Sequence, residues 1–265
     1  MAALALMILS PTYGTVRATG NPLRHIDPPL VFQAAGPNAA AIQAAVDQFR
    51  AALGGVNNGN AVGPIATGRR EINWDGGGST ATSPGSTPFE VFLISRGARM
   101  TTPGTGFVQA PATGLAEIFS NPSLATTFQA FSPVRLFAPL GSTVTDVSFF
   151  LPGGGNVPAV TTGFGAVFAD VDSPDGGGQH VRQFKPAPST LIAYYDKDGR
   201  KLYKSTVPSS PGTATLSFFG IVFADARVAK VRIVTGRVAP DDDVEPRQDL
   251  VVMDDFIYGE PQVIQ

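Results

Sequence analysis

The segment Val251-Val252-Met253-Asp254-Asp255-Phe256-Ile257-Tyr258-Gly259 sets two adjacent carboxylates inside a run that otherwise has the composition of a buried strand. Strand side chains alternate between faces, so Asp254 and Asp255 cannot both reach solvent if one face is covered. Either Val252, Asp254, Phe256 and Tyr258 share the core face, or Met253, Asp255 and Ile257 do, and the bulk of Phe256 favours the first arrangement. An isolated charge in an apolar interior costs on the order of several kcal/mol even after relaxation. The inward carboxylate therefore needs a proton, hydrogen-bond donors or a cation. Three compensations are open: backbone N–H groups of a neighbouring loop, an arginine such as Arg69 or Arg70, or a calcium ion held through oxygen ligands.

The stretch GRREINWDG at 68–76 sets Ile72 and Trp74 on one strand face and Glu71, Asn73 and Asp75 on the other. The apolar pair reads as core, which predicts a buried Trp74. Glu71 and Asp75 do not make a glycosidase pair: four strand residues at ~3.3 Å each separate them by roughly 13 Å, beyond the ~5–9.5 Å that such pairs need. A pair drawn from separate strands stays open. Asp170, Asp172 and Asp175-Gly176 approach a calcium loop, but the third acid falls one residue late and Pro174 intervenes, so a solvated loop is the better reading. The run Asp241-Asp242-Asp243-Val244-Glu245, with Asp249 beyond, reads as a hydrated loop able to hold a cation loosely. His25 and His180 are the two histidines, and no Gly-x-Ser-x-Gly elbow, phosphate-cradling loop or dinucleotide fingerprint occurs. The sequence leans away from an enzyme.

The elements that must position these residues are mostly strands. The periodicity predicts them at Arg70 to Asp75, Ala98 to Thr101, Gly106 to Ala110, Asp146 to Leu151, Gly163 to Val171, Thr190 to Asp196, Lys201 to Ser205, Thr213 to Phe219, Val228 to Thr235 and Leu250 to Tyr258. Asp196-Lys197-Asp198-Gly199 is a hairpin turn, flanked by Tyr194, Tyr195 and Tyr203 as candidate platforms for a sugar ring, although at least two of the three read more simply as core. One helix stands out. Asn38 caps a segment through Leu53 in which Ile42, Val46, Phe49 and Leu53 recur at helical spacing, closed by Gly54-Gly55. The expected organisation is an irregular N-terminal segment, 1–36, and a single domain, 37–265, in which the helix at 38–53 covers an antiparallel all-β sandwich.

Composition agrees. The 30 Gly and 23 Pro exceed what helical proteins tolerate, and the 18 Phe with abundant Val and Thr suit strands. Net charge is −2, and the 19 Lys and Arg are dispersed along the chain, so no basic stripe is present to neutralise phosphates and nucleic acid is not expected as a partner. The absence of Cys removes disulfides, thiolate nucleophiles and zinc-thiolate sites. Met1 to Leu9 reads as a signal-peptide h-region without its basic flank, or as a misassigned start. No run approaches the ~18 apolar residues of a spanning helix.

GRREINWDG, GFGAVFADVD at 163–172 and VVMDDFIYGEP at 251–261 together resemble a group of bacterial secreted proteins of unassigned function. These are similar to the β-sandwich, jelly-roll-like ectodomains of exported proteins bearing Pro-Glu-Pro sorting tags, although only QVIQ follows Pro261, which does not support sorting by that route. The resemblance covers roughly residues 40–261. It implies a calcium ion held by Asp75 and by Asp254 or Asp255, tying the first strand to the last. The expected function is a secreted, calcium-stabilised protein binding carbohydrate or a cell-surface component through residues such as Tyr194, Tyr195 and Tyr203. The alternatives are a polysaccharide-active enzyme using carboxylates from separate strands, and a structural matrix protein.

Overall fold

The computed structural model describes residues 27–76, 81–172, 190–239 and 249–265. Three antiparallel sheets dominate it. The largest has eight strands: β1 (Leu30–Gly36), β2 (Arg69–Ile72), β3 (Ser83–Gly85), β5 (Gly106–Ala110), β6 (Leu136–Leu140), β9 (Gly163–Ala169), β12 (Leu216–Val222) and β14 (Val252–Gly259). The second has five: β4 (Ala98–Thr101), β7 (Val144–Phe149), β10 (Leu191–Tyr195), β11 (Lys201–Thr206) and β13 (Lys230–Val234). A small third sheet joins β8 (Ala159–Val160) to β15 (Gln262–Val263). The helices are α1 (Ala39–Ala52), α2 (Leu93–Arg96), α3 (Ala112–Ile118) and α4 (Leu124–Thr127).

The large sheet runs β1-β12-β9-β14-β6-β5-β3, with β2 also pairing β14. The five-stranded sheet runs β11-β10-β13-β7-β4. One core draws Phe137, Phe164, Phe168 and Phe256 from the first sheet and Val147, Ile192, Tyr194 and Ile233 from the second, so the two sheets share it. A second core lies on the other face of the large sheet, where Ile42, Val46 and Phe49 of α1 and Leu115 of α3 meet Val167, Phe218 and Ile257. The large sheet is thus covered on both sides. That is why β9, β12 and β14 are buried along their whole length, and why their apolar residues do not alternate with exposed polar ones.

Helix α1 forms where its spacing predicts it, with the Asn38 side chain accepting from the Ala41 amide at 3.1 Å. Its seat depends on two glycines paired across β9 and β12, Gly165 and Gly220. A Cβ on either would stand 2.8 Å from the Phe49 ring, so the absence of side chains opens the dimple that the ring fills.

The expected irregular segment 1–36 is corrected at its end: β1 pairs with β12 over seven register positions, Leu30↔Val222 to Gly36↔Leu216. Its outer residues are exposed and carry no alternation, so the pairing leaves no sequence signature. Residues 1–26 lie outside the described part, as do Asp175, Gly176, His180 and the 241–245 acidic run. No helix among the described residues is long and apolar enough to cross a membrane.

Candidate functional site

The three motif stretches become three neighbouring strands. β14 lies between β9 on one side and β2 and β6 on the other, with Phe256↔Ile72 through Gly259↔Arg69 toward β2 and Met253↔Phe137 toward β6. Along β9 the register slips: Met253 pairs with Phe168 but Phe256 pairs with Ala166, so three steps on β14 match two on β9. The slip is a β-bulge at Asp254–Asp255, and a bulge breaks the strict alternation of side chains. Neither of the two expected face assignments survives. Met253, Phe256 and Tyr258 point into the core between the sheets, while Val252 and Ile257 point toward α1. Both aspartates are buried on the α1 side, against the 131–135 segment.

Backbone donors dominate their surroundings. Asp254 Oδ2 accepts from the amides of Phe131 at 2.6 Å and Ser132 at 3.3 Å. Asp75 Oδ1 accepts from the amides of Val134 and Arg135 at 2.7 and 2.8 Å, so Asp75 and Asp254 grip the same segment from both ends. Ser132 Oγ lies 2.6 Å from Asp255 Oδ1 and 3.3 Å from Asp254 Oδ1. A hydroxyl has one hydrogen to donate, and the shorter contact takes it. Burial, and then the neighbouring charge of Asp255, pushes the Asp254 carboxyl well above the ordinary range. Burial likewise drives Asp255 up to about 6 against the opposing pull of Ser132 and Arg50. The same raised affinity for a proton would let Asp254 Oδ1, when protonated, donate to Ser132 Oγ, which donates to Asp255.

The arginine beside this pair is Arg50 of α1, not Arg69 or Arg70. Its Nη2 donates to Glu71 at 2.9 Å and stands 3.5 Å from Asp255 Oδ2. Arg69 pairs with Glu71 at 2.5 Å. Arg70 is fully enclosed and makes two 2.6 Å bonds to Glu260, while its Nη1 donates to the carbonyls of Gly59, Ala61 and Ser95. Every donor of that guanidinium fork but one hydrogen is thereby placed, which is what a buried ion pair requires. Both partners sit in the motif stretches, yet 190 residues of chain between them leave no local pattern by which to pair them.

Trp74 is fully buried as expected, but at the bend after β2 rather than within the strand, with a φ of 65°. Its ring stacks on Phe137 at 3.8 Å between centroids.

Among the described residues no group of three or more His, Asp or Glu side chains is arranged to hold a metal ion. At the end of β9, Asp170 is buried with one carboxylate oxygen lacking a partner. Burial, reinforced by Asp172 and Asp249, pushes it up to about 8.

The tyrosines divide. Tyr194 is fully buried and its hydroxyl donates to the Phe164 carbonyl at 3.0 Å, so it presents no face to a ligand, a correction that follows from its inward register beside Val231. Tyr203 pairs with it across the hairpin and packs half-buried against the same core. Tyr195 lies on the opposite face of the sheet, with the Lys230 ammonium 5.0 Å from its ring centroid.

Two clefts open on the described surface. One of about 500 Å³ is lined mainly by apolar groups including Leu30, Leu53 and Val222. The other, of about 810 Å³, is bordered by Asp196, Asp198, Arg200, Asp225 and Arg227. Neither is lined by Asp254 or Asp255.

No family model matches the chain, and no curated protein matches it. A solved structure, the enzymatically active domain of bacteriophage CBA120 tailspike protein 4, aligns over 66% of this chain and 20% of that one, at 13% identity and a TM-score of 0.29. A likeness at that level carries no argument about function.

Proposed function

We propose that the chain is an exported binding protein for carbohydrate or a cell-surface component, built as a jelly-roll-like sandwich of the two larger sheets. One observation carries this reading: Asp75, Asp254 and Asp255 hold the fold and line neither cleft, and Glu260, which borders the smaller one, is already paired. Asp75 and Asp254 are taken up by amides of the 131–135 segment, and Glu260 is taken up by Arg70. Chemistry is thereby moved away from the motif residues, and recognition falls to exposed surface. Screening the full chain against immobilised glycans tests it, and the absence of any retained glycan, with or without calcium, would remove it.

Calcium belongs to this reading as the expectation of the resemblance. An ion at Asp75, Asp254 or Asp255 would compete with the amide, hydroxyl and guanidinium donors that face these carboxylates. Thermal melts in calcium and in chelator decide the matter. The hydrogen-bonded arrangement gives coincident melts, and a lower melting temperature in chelator would establish the ion.

An enzyme acting on polysaccharide is the second reading, favoured by the carboxylates of Asp196, Asp198 and Asp225 around one open cleft. Release of reducing ends from a polysaccharide panel, abolished in Asp225→Asn, would support it over simple binding.

A further inference from the structure

Lys and Arg residues that are dispersed in the sequence are collected by the register of the five-stranded sheet. Ile192, Tyr194, Val231 and Ile233 point into the shared core, so the residues between them point outward. Tyr195 is the direct partner of Lys201 on one side and of Lys230 on the other. Ser148 continues that row to Arg99. In the adjacent row Lys204 and Arg232 flank Ala193. Five cations thus share one face, on strands ~4.8 Å apart.

Two of the five are neutralised locally, Arg99 by Glu90 at 2.6 Å and Arg232 by Asp146 through two bonds of 2.7 and 2.6 Å. Lys201, Lys204 and Lys230 have no ion pair among the described residues, against a net charge of −2 for the whole chain. Lys201 and Lys204 are exposed, and Lys230 is held in place over the Tyr195 ring, which limits the side-chain entropy lost when an anion pairs with it.

We propose that this outer face binds an acidic, uronate-containing polysaccharide, a partner class that rests on the carbohydrate-binding reading above. Carboxylates of the polymer pair with the three free ammonium groups, and its hydroxyls meet the short polar side chains of Ser148 and Thr101 in the same rows. The charge density fits such a polymer rather than a duplex. DNA carries one negative charge per ~1.7 Å, and binding it calls for a longer run of cations on a chain that is not acidic overall.

The test is affinity electrophoresis and calorimetry of the full chain with polygalacturonate, neutral dextran, single-stranded DNA and anionic phosphatidylglycerol vesicles, at 20 and 200 mM salt. Polygalacturonate should bind, weaken at least tenfold at the higher salt, and lose at least fivefold in affinity for Lys201→Gln/Lys230→Gln and for Lys204→Gln. Far-ultraviolet circular dichroism and an unchanged melt would show each variant folded. Undiminished binding by both folded variants would overturn the proposal. So would equal affinity for DNA or vesicles, which marks a nonspecific basic patch. Retention of dextran alone would overturn it too, while leaving the broader carbohydrate reading standing.

Discussion

The indole Nε1 of Trp74 donates to the carbonyl of Asp254 at 2.9 Å across 180 residues of chain. The bond fixes the bulged stretch of β14 from the side of the shared core, while Ser132 and the amide of Phe131 fix its carboxylate from the other. Because Trp74 is the single tryptophan, its fluorescence reports this junction alone. The native emission should be strongly blue-shifted and should move to that of hydrated indole in one step with urea. A native maximum typical of water-exposed indole would contradict the packing. Trp74→Phe keeps an aromatic ring but orphans the buried Asp254 carbonyl, and should lower stability by about 1–3 kcal/mol.

Removing one partner of an enclosed ion pair leaves the other charge buried without compensation. Arg70→Met and Glu260→Gln should each cost about 3–5 kcal/mol in urea denaturation. The double variant should cost less than the sum of the two. Additive losses would show that the two residues act independently.

The packing of α1 on the large sheet gives a steric prediction. Gly220→Ala forces a methyl against the Phe49 ring, since its Cβ would lie 2.8–3.0 Å from three ring carbons. The expected loss is about 1–3 kcal/mol. Phe49→Leu in the Gly220→Ala background should recover part of it, because the smaller side chain frees the dimple. No recovery would place the damage in the strand itself.

Stability should depend on pH through Asp170. Its carboxyl rises from 3.8 to about 8 on folding, so the folded state binds the proton more tightly than the unfolded chain does. The associated stability is fully present below about pH 4 and is lost as pH rises through about 8. Melts of the wild type should therefore fall by several degrees between pH 5 and pH 9. Asp170→Asn should match the wild type near pH 5 and exceed it near pH 9. Parallel pH profiles for the two proteins would refute this.

Local pattern carried much of this fold. Hairpin β10–β11, with Asp196-Lys197-Asp198-Gly199 between its strands, and helix α1 with its Asn38 cap are readable because their determinants lie within a few residues of each other. β6 was hidden by Pro139 in its LFAPL sequence. The strand tolerates that proline because β14 pairs with it only at Met253↔Phe137, short of Pro139. The aspartate site was half legible. That a carboxylate must be buried follows from alternation, but alternation itself fails at a bulge, and Arg50 reaches Asp255 across 205 residues from a helix whose rotation depends on Phe49 and two glycines. The dispersed cations illustrate the same limit, since only strand register reveals that Lys201, Tyr195 and Lys230 are neighbours.

The position of β14 in its sheet has a consequence for biosynthesis. This strand separates β9 from β2 and β6, yet it follows every other member of that sheet in the sequence. During translation the two halves of the sheet have no common neighbour until residues 252–259 leave the ribosome. Until then the large sheet stays incompletely assembled, with the strand edges that β14 later covers still open to chaperones or to other chains. The large sheet therefore closes only once the last of its motif strands is in place.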